Sequence, residues 1–290
     1  MKVIGFTFIR NAVKYDYPIV EAIQSILPLC DEVIVNLGNS EDATNTIVAH
    51  INSPKLKFIH SVWDPSLTAG GRALAMETNK AFDAVPPEAD WCIYIQADEI
   101  IHEKYYPAIR TAMEKYKDDP LVEGLLFKYL HFYGSYDYIG DSRTWYRHEI
   151  RIIRNDKSIR SYRDAQGFRK EGKRLSVKLI DAYVYHYGWV KHPTQQLEKH
   201  LQFEKLYNND AVATDAARRS LSGFDYCGID SLKVFKGTHP AVIQERIERK
   251  NWSFEFDISK KNFTLKGRIL YWIERKTGKR FFEYKNYRII

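Results

Sequence analysis

The chain has 290 residues, 44% apolar and 28% charged, with 44 Lys and Arg against 37 Asp and Glu and a formal net charge of +7. Those proportions exclude a disordered or fibrous chain and allow a substantial core, while the positive balance leaves phosphorylated ligands, nucleic acid and anionic membrane surfaces open as partners. Cys30, Cys92 and Cys227 are odd in number, far apart and never in a C-x-x-C pair, which argues against a disulfide framework or a zinc site and fits a reducing compartment.

Residues 2–9 form an apolar run that predicts a strand ending at Arg10-Asn11, not a secretory leader. Residues 17–29 carry apolar side chains at helical spacing, with Pro18 in the first turn where its missing N–H costs nothing. Residues 31–37 predict a second buried strand, followed by the polar loop Gly38-Asn39-Ser40-Glu41-Asp42 and a helix over 43–51. A third strand over 56–62 leads through Thr68-Ala69-Gly70-Gly71 into a helix over 72–85. Residues 90–99, Asp-Trp-Cys-Ile-Tyr-Ile-Gln-Ala-Asp-Glu, are the fourth strand, a polar start running into an apolar stretch that ends in two adjacent carboxylates. Strands and helices alternating at these intervals predict βαβ units in a doubly wound sheet, whose ligands bind outside the carboxyl ends of the strands. Asp98 and Glu99 are expected there, and acids at that edge suit a divalent cation and a phosphate-bearing substrate.

Beyond Glu99 the rhythm changes. A helix over 104–116 precedes strands over 121–133 and 150–154, joined by a loop through Tyr136, Tyr138, Gly140 and Trp145. Residues 176–187 predict a further strand running into Tyr185-His186-Tyr187-Gly188-Trp189, and 192–209 a helix. The tail holds a helix over 241–250 and the run 265–290, in which Ile269, Leu270, Trp272 and Ile273 alternate with Lys266, Arg268, Arg275, Lys276, Lys279 and Arg280. That run reads as a basic amphipathic helix able to rest on an anionic leaflet, or equally as a helix docked on the domain with a solvated basic face. No stretch approaches the roughly 20 apolar residues of a membrane span. The expected organisation is a catalytic domain over 1–208, split into a nucleotide-binding half (1–99) and an acceptor-side half (100–208), with a basic, mainly helical extension over 209–290.

Four signals in order, Arg10-Asn11, Ser40-Glu41-Asp42-Ala43-Thr44, Gly71-Arg72-Ala73 and Gln96-Ala97-Asp98-Glu99, give the chain a resemblance to the family 2 glycosyltransferases of the GT-A fold. Within that family it is most similar to bacterial enzymes that build lipopolysaccharide cores and surface polysaccharides. The resemblance implies a cytoplasmic, inverting glycosyltransferase that takes a nucleotide-sugar donor and an oligosaccharide or lipid-linked acceptor, with peripheral contact with the inner membrane face and no role for nucleic acid. It implies donor-binding roles for Arg10, Asn11, Asn36, Asp42, Arg72, Gln96 and Asp98, and a Mg²⁺ or Mn²⁺ ion held by Asp98 and His186. Two positions depart from the pattern: Leu37 stands where the family carries a base-binding acid, with Asn36 beside it, and Gln96 replaces the first acid of D-x-D and is a weaker metal ligand than a carboxylate.

Each of these residues also has an ordinary structural reading. His186 between Tyr185 and Tyr187 reads as well as a packed core histidine, and Asp42 or Ser40 as a helix cap. Acceptor deprotonation needs a base. Asp164, in Asp164-Ala165-Gln166-Gly167-Phe168, is the first candidate, then Glu149, then Asp141. Tyr133, Tyr136, Tyr138, Trp145 and Trp189 are candidates to stack on sugar faces or to pack the core. Three alternatives stand beside the glycosyltransferase reading: a nucleotidyltransferase, which lacks its Gly-rich loop after strand one; a nucleotide- or carbohydrate-binding module whose transferase site has decayed, supported by Leu37 and Gln96; and, more weakly, a nucleic-acid binder, which has the positive charge but no recognisable binding module.

Overall fold

Four parallel strands in a computed structural model, which describes residues 1–64, 66–67, 70–207 and 223–290 (backbone only for 203–207), build one flank of a mixed sheet. They are β1 (Val3–Ile9), β2 (Glu32–Leu37), β3 (Leu56–His60) and β4 (Trp91–Tyr94), in the order β3-β2-β1-β4. Between them lie α1 (Ile19–Ile26), α2 (Thr44–Ala49) and α3 (Arg72–Asp83). The short β5 (Glu99–Ile101) and α4 (Tyr106–Tyr116) follow.

The strand side chains alternate between two cores, as a period of two requires. Val3, Ile9, Val33, Val35 and Ile93 pack on α1, α2 and α4 through Ile19, Ile23, Val48, Ile109 and Met113. Ile4, Phe6, Ile34, Cys92 and Tyr94 pack on α3 through Leu74, Ala81 and Phe82. Each such side chain taken fully out of water contributes about 1.5–3 kcal/mol, so the sheet is clamped from both faces.

The second flank mixes directions. β6 (Gly124–Tyr133) turns back through β7 (Ser135–Gly140), then come β8 (His148–Arg154), the hairpin β9 (Ile159–Tyr162) with β10 (Gly167–Lys170), and the 17-residue β11 (Lys173–Trp189). The sheet continues β4-β8-β6-β11 with β8 antiparallel to both neighbours and β6 parallel to β11. The carboxyl ends of β1, β4, β6 and β11 therefore share one edge. This is the doubly wound mixed α/β sheet expected of the GT-A fold.

Helix α5 (Pro193–Tyr207) leaves that edge, and the expected boundary near Asn208 lies outside the described residues. The tail holds β12 (Leu232–Val234), α6 (Gln244–Glu248), α7 (Leu265–Thr277) and β13 (Tyr287–Ile289). It is not helical alone: β12 pairs with β7 and β13 with β11. The loop expected through Tyr136 and Tyr138 is likewise strand β7. Among the described residues no helix is long and apolar enough to cross a membrane.

Candidate functional site

A cavity of about 540 Å³ opens at the shared carboxyl edge, lined among others by Arg10, Asn11, Gln96, Asp98, Asp164 and His186. β1 delivers Arg10 and Asn11. Asn11 adopts a left-handed φ of 54°, which asparagine tolerates, and its Oδ1 accepts from the Glu41 N–H at 2.8 Å while its own N–H donates to Ser40 Oγ at 3.0 Å. The Arg10 guanidinium lies 5.7 Å over the Trp63 ring.

β4 ends at Tyr94, and a turn over residues 95–98 places Asp98 before β5 takes the chain away. The expected pair of acids divides here. Glu99 is fully buried: its oxygens take two hydrogen bonds of 2.7 Å from Arg151 and one of 2.8 Å from the Tyr129 hydroxyl. It locks β5 to β8 rather than facing ligand. Asp98 faces the cavity, anchored to β11 by the Tyr187 N–H donating to its carbonyl at 2.8 Å.

Around the Asp98 carboxylate stand three groups. Lys199 of α5 donates to Oδ2 at 3.1 Å and to the Gly188 carbonyl at 2.9 Å. His186 presents Nε2 3.8 Å from Oδ1. Lys191, fully buried, donates to the Asp16 carbonyl at 2.5 Å behind the Tyr17 ring. Burial raises the Asp98 carboxyl, but the Lys199 ammonium, with the His186 and Lys191 side chains beside it, outweighs burial and holds the group well below the usual carboxylate range. Burial beside Lys199 lowers the Lys191 ammonium to about 7.

Gly188 keeps this corner open. A Cβ there would lie 2.7 Å from Asp98 Oδ2 and 2.7–2.8 Å from the His186 ring. Beside it, Asp98 Oδ1 and His186 Nε2 stand 3.8 Å apart, a separation that a cation bound at roughly 2.1 Å from each can bridge. Among the described residues no group of three or more His, Cys, Asp or Glu side chains converges on one point. The protein shell is thus two donors, and phosphate and water would complete it, as Mg²⁺ commonly arranges.

The other expected donor-binding residues separate. Gln96 lines the cavity, its Nε2 donating to the Ala165 carbonyl at 3.2 Å. Asn36 is fully buried under α3, where its amide donates to Glu77 at 2.9 Å. Asp42 accepts from the Lys14 and Thr44 N–H groups at 2.7 and 2.9 Å and tightens the loop before α2. Arg72 is exposed and borders a separate surface hollow with Tyr162 and Arg163. None of these three is among the cavity's lining residues.

Of the base candidates, Asp164 lines the cavity from the turn between β9 and β10. Glu149 is buried outside it, and burial pushes its carboxyl up to about 8. Asp141 accepts from the Tyr271 hydroxyl and Lys261 at 2.6 and 3.1 Å. Trp145 and Trp189 form one wall with ring centroids 6.4 Å apart, whereas Tyr133 and Tyr136 belong to buried aromatic clusters. Sequence reasoning missed Lys199, Tyr17 and His131. A signal for His131 existed: His131-Phe132-Tyr133-Gly134 and His186-Tyr187-Gly188 each place a histidine, aromatic residues and a glycine where an apolar strand ends.

No protein-family model matches the sequence, and no curated protein matches it. Among solved structures, residues 1–349 of TarS from S. aureus in complex with UDP is 16% identical over 76% of this chain and 71% of that one, with a TM-score of 0.40. Glucosyl-3-phosphoglycerate synthase from Mycobacterium tuberculosis, in complex with Mn²⁺, UDP and phosphoglyceric acid, is 19% identical over 45% of this chain and 43% of that one, with a TM-score of 0.31. The 4-diphosphocytidyl-2C-methyl-D-erythritol synthase from Anaerococcus prevotii is 10% identical over 67% of this chain and 94% of that one, with a TM-score of 0.41. These are likenesses of fold.

Proposed function

We propose that the protein is a glycosyltransferase that moves a sugar from a nucleotide-sugar to an acceptor hydroxyl with inversion, in the synthesis of lipopolysaccharide or surface polysaccharide. The observation that carries this reading is the juxtaposition of Asp98 and His186 across the gap kept open by Gly188, at the edge where β1 also delivers Arg10 and Asn11. Asp98 Oδ1 and His186 Nε2 would hold a Mg²⁺ or Mn²⁺ ion, which when bound supplies positive charge to the departing diphosphate. Arg10, Asn11 and Gln96 face the same cavity and orient the nucleoside diphosphate. Lys199 holds Asp98 ionised and adds a fixed cation beside the diphosphate.

In the transfer, the acceptor oxygen forms a bond to the anomeric carbon while the bond from that carbon to the β-phosphate oxygen breaks. The bonding electron pair leaves with the nucleoside diphosphate, and the acceptor proton passes to the Asp164 carboxylate. Trp145 and Trp189 offer apolar faces on which sugar rings stack. An oligosaccharide or lipid-linked acceptor would present its sugar rings to these faces.

The lipid-linked form of the acceptor draws on α7. Leu265, Ile269 and Trp272 form an outward stripe at i, i+4 and i+7, flanked by the exposed Lys266, Arg268, Arg275 and Lys276. That face suits peripheral contact with the anionic inner face of a membrane, from the cytoplasmic side.

The test is a turnover screen of nucleotide-sugars with and without Mn²⁺ on the wild type and Asp98→Ala. One donor hydrolysed slowly by the wild type in a metal-dependent way, and not by the variant, is the expected result. Release of pyrophosphate from a nucleoside triphosphate instead would point to a nucleotidyltransferase. No turnover and no thermal shift with any nucleotide-sugar would leave a binding module in which Gln96 and Leu37 mark lost chemistry.

A further inference from the structure

His131 and His186 are direct partners across the parallel strands β6 and β11, and Glu99 of β5 pairs with His186 on the other side. The two imidazoles meet edge to face, with Nδ1 of one 3.3 Å from Nδ1 of the other. His131 Nε2 lies 2.8 Å from the carbonyl oxygen of Tyr146. These three distances fix where the protons are. A carbonyl oxygen only accepts, so His131 Nε2 carries a hydrogen and donates it. In a neutral His131 ring, Nδ1 is then a lone pair. Two facing nitrogens need one hydrogen between them, so His186 supplies it from Nδ1. His186 Nε2 is left as a lone pair, and it is this atom that faces Asp98 Oδ1 at 3.8 Å.

His131 is 4% exposed, stacked on Tyr129 and Trp145 with ring centroids 5.4 and 5.0 Å away. Its two ring nitrogens meet a carbonyl oxygen and an imidazole nitrogen, and no carboxylate among the described residues hydrogen-bonds to either. The Nε2 lone pair and Asp98 Oδ1, 3.8 Å apart, are then both acceptors with no proton of their own to share. Such a pair is a site for a cation.

We infer that His131 is a positioning residue: through the chain Tyr146 carbonyl, His131, His186, it fixes His186 in the Nδ1–H tautomer and so presents Nε2 to a divalent cation shared with Asp98. A metal-bound histidine characteristically donates its other ring N–H to a partner that sets its tautomer, usually a carboxylate, a carbonyl or water. Here the partner is a second imidazole, itself oriented by a backbone carbonyl. The inference rests on the metal-site reading above, yet its first half concerns protons alone.

Two measurements test it. Long-range ¹H–¹⁵N spectra of the metal-free protein, with His186→Gln to assign the signals, are expected to show His186 protonated at Nδ1 and His131 at Nε2. A His186 ring protonated at Nε2 overturns the inference whatever the protein does with metal. The second measurement is Mn²⁺ affinity, read by electron paramagnetic resonance with the metal alone. His131→Phe keeps the stacking ring and removes both nitrogens; it is expected to weaken Mn²⁺ binding roughly 10–100-fold. His131→Asn, whose Oδ1 replaces the Nδ1 acceptor, is expected to restore affinity to within a few-fold of wild type. Folded His131→Phe with wild-type affinity overturns the positioning role. A wild type that binds no Mn²⁺ but shows the Nδ1–H tautomer removes the metal reading and with it the second half of the inference, while the proton relay itself stands.

Discussion

Lys199 donates to Asp98 Oδ2 at 3.1 Å, leaving Oδ1 to face His186. One carboxylate thus carries a permanent cation on one oxygen and an open position on the other. Both side chains are close to nine-tenths buried, so little solvent screens the pair. The prediction has opposite signs for two ligands. Lys199→Met is expected to weaken binding of a nucleoside diphosphate without metal by roughly tenfold or more, because a cation facing the phosphates is lost. The same change should tighten Mn²⁺ binding in the absence of nucleotide several-fold, since the ammonium no longer competes for the carboxylate. Calorimetric titrations of each ligand separately decide it; a fall in both affinities would mean that Lys199 only holds Asp98 in place.

Gly188 makes a separate prediction about space. The Cβ of Gly188→Ala would press on the Asp98 carboxylate and the His186 ring together, at a bulge between His186 and Trp189 where the long strand β11 already departs from regular pairing with β6. Thermal unfolding is expected to shift by only a few degrees. Mn²⁺ affinity and metal-dependent donor turnover should both fall, on the order of a hundredfold, because a displacement of about 1 Å in a positioned group has that scale of consequence. A variant with unchanged metal affinity would show that the gap is not a cation site.

The proton acceptor separates Asp164 from Glu149. Asp164 lines the cavity and Glu149 does not. Asp164→Asn keeps the shape and removes the basicity, so kcat is expected to fall roughly 10²–10⁴-fold, with donor KM little changed. Glu149→Gln taking that loss instead would reassign the base.

Strand ends and helix faces were readable because long apolar runs and 3.6-residue spacing leave strong local signals: Arg10 directly follows β1 as its apolar run implies, whereas the fourth strand, expected to reach Glu99, stops at Tyr94 and leaves Asp98 in a turn, and His186 lies inside β11, three residues before its end. What failed is what depends on distant partners. Glu99 looks as free as its neighbour in sequence, and only Arg151, 52 residues on, withdraws it from the site. Asn36 and Arg72 carry suitable chemistry on elements that point it away from the cavity. The loop reading between residues 133 and 150 missed the six-residue β7 because aromatic residues fit strand or loop alike, and the three-residue β13 is too short to carry a pattern. His131 stands near the end of an apolar strand much as His186 does, but its pairing with His186 shows only across the β6–β11 ladder.

Glu149 also carries a pH prediction. Burial raises its carboxyl from 4.5 to about 8 in the folded chain, and its Oε2 has no hydrogen-bond partner among the described residues. A raised folded value means the folded state keeps the proton that the unfolded state releases. The associated stability is therefore complete below about pH 4.5 and is lost progressively until the folded group ionises near pH 8. Glu149→Gln removes this dependence. It should unfold near the wild-type temperature at pH 5 and be more stable at pH 9, by a difference on the order of a few kcal/mol. Equal pH profiles for the two proteins in urea or thermal melts would show that Glu149 is ionised in the fold.

The final prediction concerns α7. Its inner face is tied down: Glu274 accepts from Arg143 and Arg280 at 2.8 Å, and the Tyr271 hydroxyl donates to Asp141 at 2.6 Å. Its outer face holds Leu265, Ile269 and Trp272, 77%, 53% and 62% exposed, and beyond the helix Phe282 is 91% exposed. An apolar stripe facing water, flanked by cations on both sides, matches a surface that is apolar below and anionic above. Each basic residue near such a surface contributes about 1 kcal/mol, an effect that salt removes. The protein is expected to sediment with vesicles of phosphatidylglycerol and phosphatidylcholine and not with phosphatidylcholine alone, with its tryptophan emission moving to the blue. The pair Leu265→Asn with Trp272→Ser should reduce that binding roughly tenfold or more and leave hydrolysis of a soluble donor intact. Sedimentation that survives the double change, or that is equal on neutral vesicles, would assign the stripe to a protein contact and detach the acceptor from the membrane.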